Sequence, residues 1–341
     1  MSEFQMGTRP FVSILVLFHN LEDCVDHCLD TLLAQSYDNY EVVCVNDGST
    51  DRTREKLAAY ELCQNIRVID LENGGVSRAR NAAIEHAQGE FVTFVDGDDV
   101  VSPRYLEFLV RALVESGAEQ AIGKYCVVLT RNGVPVPDSW SDRFSYRTLD
   151  REQMTHSFLY GETIISPWCH VAKRQLYIDN PFPEGKVYED TLTFEGQVLS
   201  CDSFAFVDVP LYGYVKRWES ITKPSIADSG QIANFGEAIT ALGEGVRRQT
   251  IAQEAGLVYR TALEYSRLYR LAYRIRGDET ADYWRAKALS YVKDHLKELR
   301  ADKEVPKSDR LRFRVLCMFP AHFDQIFSKY EEAAFKRETN R

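Results

Sequence analysis

The sequence predicts an α/β protein, a mostly parallel sheet flanked by helices, with a helical region at its C-terminal end. Three observations carry that expectation. Over the first hundred residues, short runs rich in Val, Ile and Phe alternate with stretches whose apolar residues recur at helical spacing. Successive runs end in Asp- or Gly-containing turns, as strands do at a sheet edge. From about Ala227 the strand signals cease, and long helical patterns rich in Arg, Glu, Tyr and Leu take over.

The first run, Phe11–Phe18, and its successors 41–45, 66–69 and 91–95 read as strands buried on both faces. Between them, 21–34, 51–60 and 76–87 each gather their apolar residues on one side of a helix. A strand, helix, strand order requires crossovers and therefore a parallel sheet, whose ligands lie beyond the carboxyl ends of the strands. A helix over 104–116 follows Pro103, and a strand is expected around 121–130. Asn132-Gly133 is a hairpin signal, and the polar stretch through Pro135 and Pro137 to Asp142 reads as a loop. Residues 204–215 read as a strand pair in which Pro210 confines one member to an edge. The expected division is a first domain over 1–226 and a helical region over 227–341.

Composition narrows the function. The 341 residues carry 41 basic and 51 acidic side chains, a net charge of −10, with 45% hydrophobic residues, enough for a large core. An acidic balance argues against nucleic acid as the partner, because that affinity comes mainly from Lys and Arg neutralising phosphates. Phe11–Phe18 is far shorter than the ~20 apolar residues that cross a bilayer. The opening MSEFQMGTRP lacks the basic and then apolar pattern of a secretory signal, so the expected location is the cytoplasm, or the inner face of the cytoplasmic membrane. Eight cysteines scattered from Cys24 to Cys317 read as reduced thiols; Cys24 and Cys28 fall on an apolar helix face, not in a zinc site with His27.

The residues able to carry chemistry stand just after the strands. The fourth run leads into Asp96-Gly97-Asp98-Asp99, a cluster of hard oxygen donors that suits Mg²⁺ or Mn²⁺ holding a diphosphate. The same tetrapeptide also makes an ordinary turn and helix cap. The second run ends in Asn46-Asp47-Gly48-Ser49-Thr50-Asp51. The third is followed by Asn73-Gly74-Gly75-Val76-Ser77-Arg78-Ala79-Arg80-Asn81, where glycines admit a close phosphate, a helix N-terminus favours anions and arginines can clamp them. Neither a dinucleotide fingerprint nor a P-loop is present. Three such turns at consecutive strand ends point to one pocket.

With these motifs in order, the chain resembles glycosyltransferase family 2, the inverting nucleotide-sugar transferases built on a Rossmann-like GT-A fold. The resemblance rests on VSILVLFHN, VNDGSTD, NGGVSRARNAAIEHAQGEFVTFVDGDD, PWCHVAKRQLY, FPEGKVYEDT and YGYVKRWESIT, and spans Val12 to Thr222. It implies that Asp47 contacts the nucleotide base, that Asp96 and Asp98 form the D-x-D pair for ribose and metal, and that Asp190 of Tyr188-Glu189-Asp190 is the catalytic base. It also implies that Gly75 and Arg80 lie on the nucleotide-sugar. A carboxylate in the place of Asp190 is what inverting transfer needs to take the acceptor's proton, although an acidic pair is equally at home at a helix N-terminus.

Two departures stand out. His19 occupies the place where the family commonly has a tyrosine on the base. Only the Arg-Trp of a Q-x-x-R-W motif remains, in Arg217-Trp218, which favours single addition over processive synthesis and leaves Arg217 either on the diphosphate or on the surface. Trp168, His170 and Glu189 fall on the acceptor side, with core packing an open alternative for Trp168. The implied function is transfer from a nucleotide-sugar, a UDP-sugar by expectation, to a saccharide or lipid-linked saccharide hydroxyl in surface-glycan assembly. The rivals are a sugar nucleotidyltransferase and an inactive binding protein of the same fold. In the tail, Arg267, Arg270 and Arg274 and the segment 312–319 suit either an anionic membrane surface or packing onto the first domain or a second copy of the chain.

Overall fold

The computed structural model describes residues 9–131, 134–136, 140–163, 165–216, 228–249 and 253–329. Its elements begin with β1 (Val12–Phe18), α1 (Val25–Leu33), β2 (Tyr40–Asp47), α2 (Thr53–Tyr60), β3 (Ile66–Leu71), α3 (Val76–His86), β4 (Phe91–Asp96), β5 (Val100–Val101) and α4 (Tyr105–Ser116). Then come β6 (Gln120–Arg131), β7 (Val134–Val136), β8 (Tyr146–Asp150), α5 (Arg151–Leu159), β9 (His170–Lys173), α6 (Arg174–Asp179), α7 (Glu189–Phe194) and β10 (Ser203–Val215). A π-helical stretch over 195–199 continues α7. The helices α8 (Ser229–Gln249), α9 (Glu254–Arg274), α10 (Glu279–Asp294), α11 (Leu296–Ala301) and α12 (Lys307–Met318) complete the order.

The sheet runs β3-β2-β1-β4-β9-β6-β10-β5. Strands β1 to β4 are parallel, as their apolar runs and helical crossovers predict. β1, β2 and β4 are buried along most of their length, whereas β3 ends the strand order and of its residues only Ile66 is buried. Ile14, Leu15, Val16, Val43, Val45 and Phe94 have no exposed surface. Phe94 meets Tyr177 and Phe182 edge to face at 5.2 and 5.6 Å, so α6 and the chain after it cover that side of β4. The short β9 enters antiparallel between β4 and β6. Asn132 and Gly133 lie outside the described residues, but the strands on either side of them, β6 and β7, pair antiparallel as that dipeptide predicts.

The pair of strands expected over 204–215 is one strand. β10 runs through Pro210 beside β6, and its register shifts between Val207, Pro210 and Tyr212. The break absorbs the missing N–H of proline, so the residue sits at an irregularity instead of an edge.

The chain forms two compact units, Met1–Arg151 with Ile165–Arg217, and Glu152–Ile164 with Trp218–Arg341. The second includes most of α5, which the sequence pattern assigns to the first domain. Within that unit Phe158 lies under Arg260, 4.6 Å from ring centre to guanidinium, and Tyr160 stacks on Tyr259 at 5.7 Å. These partners are about a hundred residues away in sequence, which is why the local pattern of α5 hides its allegiance. Among the described residues no helix is long and apolar enough to cross a membrane.

The helical unit pairs Arg267, Arg270 and Arg274 with its own carboxylates. Arg267 donates to Glu264 at 3.0 Å, with Arg260 also 3.0 Å from that carboxylate. Arg270 and Arg274 donate to Asp324 at 3.2 and 2.9 Å. Each arginine of the stripe Arg267, Arg270 and Arg274 thus has a carboxylate partner within the unit, with two arginines to each carboxylate.

Candidate active site

The site begins with the loops beyond β1 and β2. Asn20 accepts at Oδ1 from the Thr50 N–H, 2.8 Å, and its own N–H donates to Ser49 Oγ, 3.1 Å, which joins the two strand ends. His19 lies exposed on that junction. Its Nδ1 is 2.7 Å from the carbonyl of Asp47, which can only accept, so the proton is on Nδ1 and Nε2 is left to accept from Asn20 Nδ2 at 3.1 Å. The flat ring is held at both nitrogens.

Asp47 ends β2 almost fully buried. Its Oδ1 accepts from the Gly74 N–H at 2.8 Å and Oδ2 from the Gly75 N–H at 3.0 Å. Asp47 therefore fixes the glycine-rich turn that opens α3, and a nucleotide base would share those two oxygens with the turn. Gly75 has φ +84° with open space where a Cβ would stand, so it meets the backbone demand and leaves its surface clear. Arg78, half-buried, lies across Gly74, where a Cβ would be 2.3 Å from its Cδ.

Beyond β4, Gly97 packs so tightly on the end of β1 that a Cβ would come within 2.5 Å of the Leu17 carbonyl oxygen. That close approach sets the acidic turn directly over the first strand. Its three carboxylates then part company. Asp99 is buried, accepting from Tyr212 Oη at 2.6 Å and from the Val215 N–H at 2.7 Å, and burial lifts its pKa well above the carboxylate range. Tyr212 in turn accepts from the Asp96 N–H at 3.1 Å. Asp99 is a tether between the turn and β10, while Asp96 and Asp98 stay partly exposed.

Arg80 on α3 is 5% exposed. Its Nη1 donates to Glu189 and its Nη2 is 3.6 Å from Asp96 Oδ1, so it joins β4 to the start of α7. Asp190 is the next residue along. Its Oδ1 accepts from the Thr191 N–H at 2.6 Å and the Thr191 hydroxyl at 3.2 Å, and its Oδ2 from Ser166 at 3.3 Å. Removal from water raises the Asp190 pKa, and Glu189 adds to that against the opposing pull of Arg80. Asp96 rises to about 6, first through desolvation and then through Asp98, Glu189 and Asp190, with Arg80 again opposing. The acids at the ends of β4 and α7 are thus close enough to repel one another, across more than ninety residues of sequence. A single buried arginine does not balance them.

That surplus is the structural test for a divalent cation. Among the described residues no group of three acidic, His or Cys side chains is arranged as a closed metal site. The donors that fit are Asp96 and Asp98, a pair of hard carboxylates, which matches the way Mg²⁺ and Mn²⁺ take few protein ligands and complete their shell with phosphate oxygens and water.

Other expected site residues lie elsewhere. Trp168 is buried, stacked on Tyr212 at 4.2 Å and 14°, and so braces the tyrosine that holds Asp96 and Asp99. His170 is 1% exposed on β9, and burial lowers its pKa to about 3, leaving it neutral. Both side chains are thus packed in the interior of the α/β unit. Glu189 turns to Arg80. Arg217 and Trp218 lie outside the described residues. Tyr212 is the contributor that sequence reasoning passed over; the signal was Tyr212 and Tyr214 at alternate positions of one strand, both facing Trp168.

A mostly parallel sheet with acidic and glycine-rich turns at its carboxyl edge places the protein in the class of GT-A type glycosyltransferase folds. Residues 13–179 match the glycosyl transferase family 2 profile. The putative teichuronic acid biosynthesis glycosyltransferase TuaG of Bacillus subtilis is 32% identical over 188 residues, 54% of this chain and 71% of TuaG. The chain belongs to glycosyltransferase family 2. Glycosyltransferase GlyA of Streptococcus pneumoniae is 30% identical over 218 residues, and the match covers 62% of this chain but only 31% of GlyA. Among solved structures, S. aureus TarS 1-349 superposes with a TM-score of 0.62 at 20% identity, over 94% of this chain and 91% of that one, which is a likeness of fold.

Proposed function

We propose that the protein is an inverting, cation-assisted glycosyltransferase that moves a sugar from a UDP-sugar to a saccharide or lipid-linked saccharide hydroxyl in surface-glycan assembly. The observation that carries this reading is the convergence of the Asp96-Gly97-Asp98 turn, the Asp47-held glycine turn and Asp190 at one sheet edge. TuaG, by its name a teichuronic acid enzyme, and TarS, which has been crystallised with UDP and with UDP-GlcNAc, support the choice of pathway and donor class.

In this reading His19 and Asp47 receive the base, and Gly75 leaves room for the diphosphate at the start of α3. Asp96 and Asp98 would hold Mn²⁺ or Mg²⁺, which would supply positive charge against the diphosphate. Asp190 takes the proton of the acceptor hydroxyl as that oxygen attacks the anomeric carbon, and the nucleoside diphosphate departs from the opposite face with the bonding electrons. A raised carboxyl pKa suits the task, because a stronger base accepts the proton more readily, and Thr191 with Ser166 keeps the carboxylate oriented.

The test is Asp190→Asn, assayed by UDP release from a panel of UDP-sugars with and without oligosaccharide acceptors. General-base help of this kind is worth ~10²–10⁴-fold, so kcat should drop by that order while UDP still binds. Unchanged turnover would remove Asp190 from the reaction, and UDP binding with no turnover in the wild type would favour the inactive binding protein.

A further inference from the structure

Arg80 sits beside the expected diphosphate position and carries a charge suited to it, yet its surroundings are wrong for that role. A guanidinium that receives a diphosphate keeps its planar fork open to the ligand. Here the side chain is buried, the fork is turned onto Glu189 and Asp96, and the Phe182 ring covers it with the guanidinium carbon 5.2 Å from the ring centre. The neighbouring residue on α3 continues the pattern. Asn81 Nδ2 donates to the Phe182 carbonyl and its Oδ1 accepts from the Phe182 N–H, both at 2.9 Å. Two consecutive residues of α3 thus hold the segment that leads into α7, one by its backbone and one by the first acidic side chain of the helix.

That grip matters because the residues flanking Glu189 depend on it. Tyr188 is in the left-handed region at φ +65°, so the entry to α7 is a conformation that side chains other than glycine adopt only when their surroundings impose it. Asp190 itself is tethered to the adjacent Thr191 and to Ser166. A direct link from this acidic pair to the parallel half of the sheet is the contact of Glu189 with Arg80, which also reaches Asp96.

Resting on the transferase reading, we propose that Arg80 and Glu189 form a positioning pair. Arg80 fixes the start of α7 against the end of β4, and so sets Asp190 relative to Asp96 and Asp98, while touching neither diphosphate nor acceptor. Glu189 acts through Arg80, one residue from the base, and is not an acceptor ligand.

The experiment compares Arg80→Gln, Glu189→Gln and the double variant with the wild type, and adds Arg80→Lys, which keeps the charge should the neutral variant fold poorly. Binding is measured by calorimetry with UDP and Mn²⁺, turnover by UDP release from UDP-GlcNAc and UDP-glucose, and local order by amide exchange at Leu192, Thr193 and Phe194. A positioning pair predicts UDP affinity and donor KM within about twofold of wild type, but kcat lower by about a hundredfold, the loss an ångström-scale misplacement brings. The double variant should be no slower than the slower single one, because both remove the same contact. Exchange at the three amides should quicken in both single variants. The proposal is overturned if Arg80→Gln weakens UDP binding tenfold or more, if Glu189→Gln matches wild-type kcat, or if the two losses multiply. Should the wild type release UDP from neither donor, the donor assignment falls, and amide exchange still decides the pair: unchanged protection in both variants overturns it.

Discussion

Each unit of the molecule buries carboxylates, and each treats them differently. In the helical unit Glu264 lies between Arg267 and Arg260, and Asp324 between Arg274 and Arg270. Although burial works to raise both pKa values, the arginines outweigh it and hold the carboxyls below their ordinary range. In the α/β unit Arg80 stands against Asp96, Glu189 and Asp190, with Asp98 close by, and there burial prevails over the arginine, so that Asp96 and Asp190 rise. Both are structured ion clusters. In the helical unit each carboxylate has two arginines, whereas in the α/β unit one arginine faces several carboxylates, and an acidic surplus of that kind is more often found at a functional site than in a framework.

The sharpest way to break the comparison is to remove a carboxylate from the arginine-rich cluster. Glu264→Gln should leave Arg260 facing a neutral partner in a mostly buried position and lower the stability of the helical unit by about 3 kcal/mol, read from urea unfolding followed by circular dichroism. A loss below the reach of that measurement would show that the arginines find water instead. The complementary test fills the unbalanced site. Mn²⁺ together with UDP, at a hundredfold excess over the dissociation constant, should stabilise the α/β unit by about 2.7 kcal/mol in thermal unfolding. Asp98→Asn should reduce that gain, whereas Asp324→Asn should leave it intact. If Asp98→Asn keeps the full ligand shift, Asp98 is not a metal ligand.

Acid gives the smallest effect, and its sign separates the two clusters. Because the Asp324 carboxyl is depressed in the folded protein, its contribution is fully present above the ordinary value near 3.8 and is lost as the pH falls through the lower folded value. The helical unit should therefore weaken in that acidic window. Asp324→Asn should flatten this part of the profile, and a slope as steep as that of the wild type would assign the acid sensitivity to other groups.

The sequence made the parallel half of the sheet legible because the middle of a strand buried on both faces has little choice but to be apolar, as in residues 14–18 and 42–45. The four residues of β9 gave no such signal, since an antiparallel insertion of that length is shorter than a readable period. The turns at the strand ends were visible for a related reason, as Asp and Gly punctuate apolar runs. What each carboxylate does was less visible. Asp98 and Asp99 are adjacent and chemically identical, yet only the structure shows that the second is committed to Tyr212 and Val215. The partner of Arg80 was hidden by 109 residues of separation, and one face of Trp168 was claimed by Tyr212 of β10. Local pattern records which face of an element is buried; it does not record which distant side chain meets it.

The hold of Asp47 on Gly74 and Gly75 bears on how such a protein can change over time. Because the shape of the turn is dictated by a carboxylate carried on the neighbouring strand, the segment is not a portable cassette: transplanted alone into another scaffold, its two amides would lose their acceptors. Drift at residue 47 and drift in the glycines are therefore expected to occur together, with the rest of the turn freer to vary.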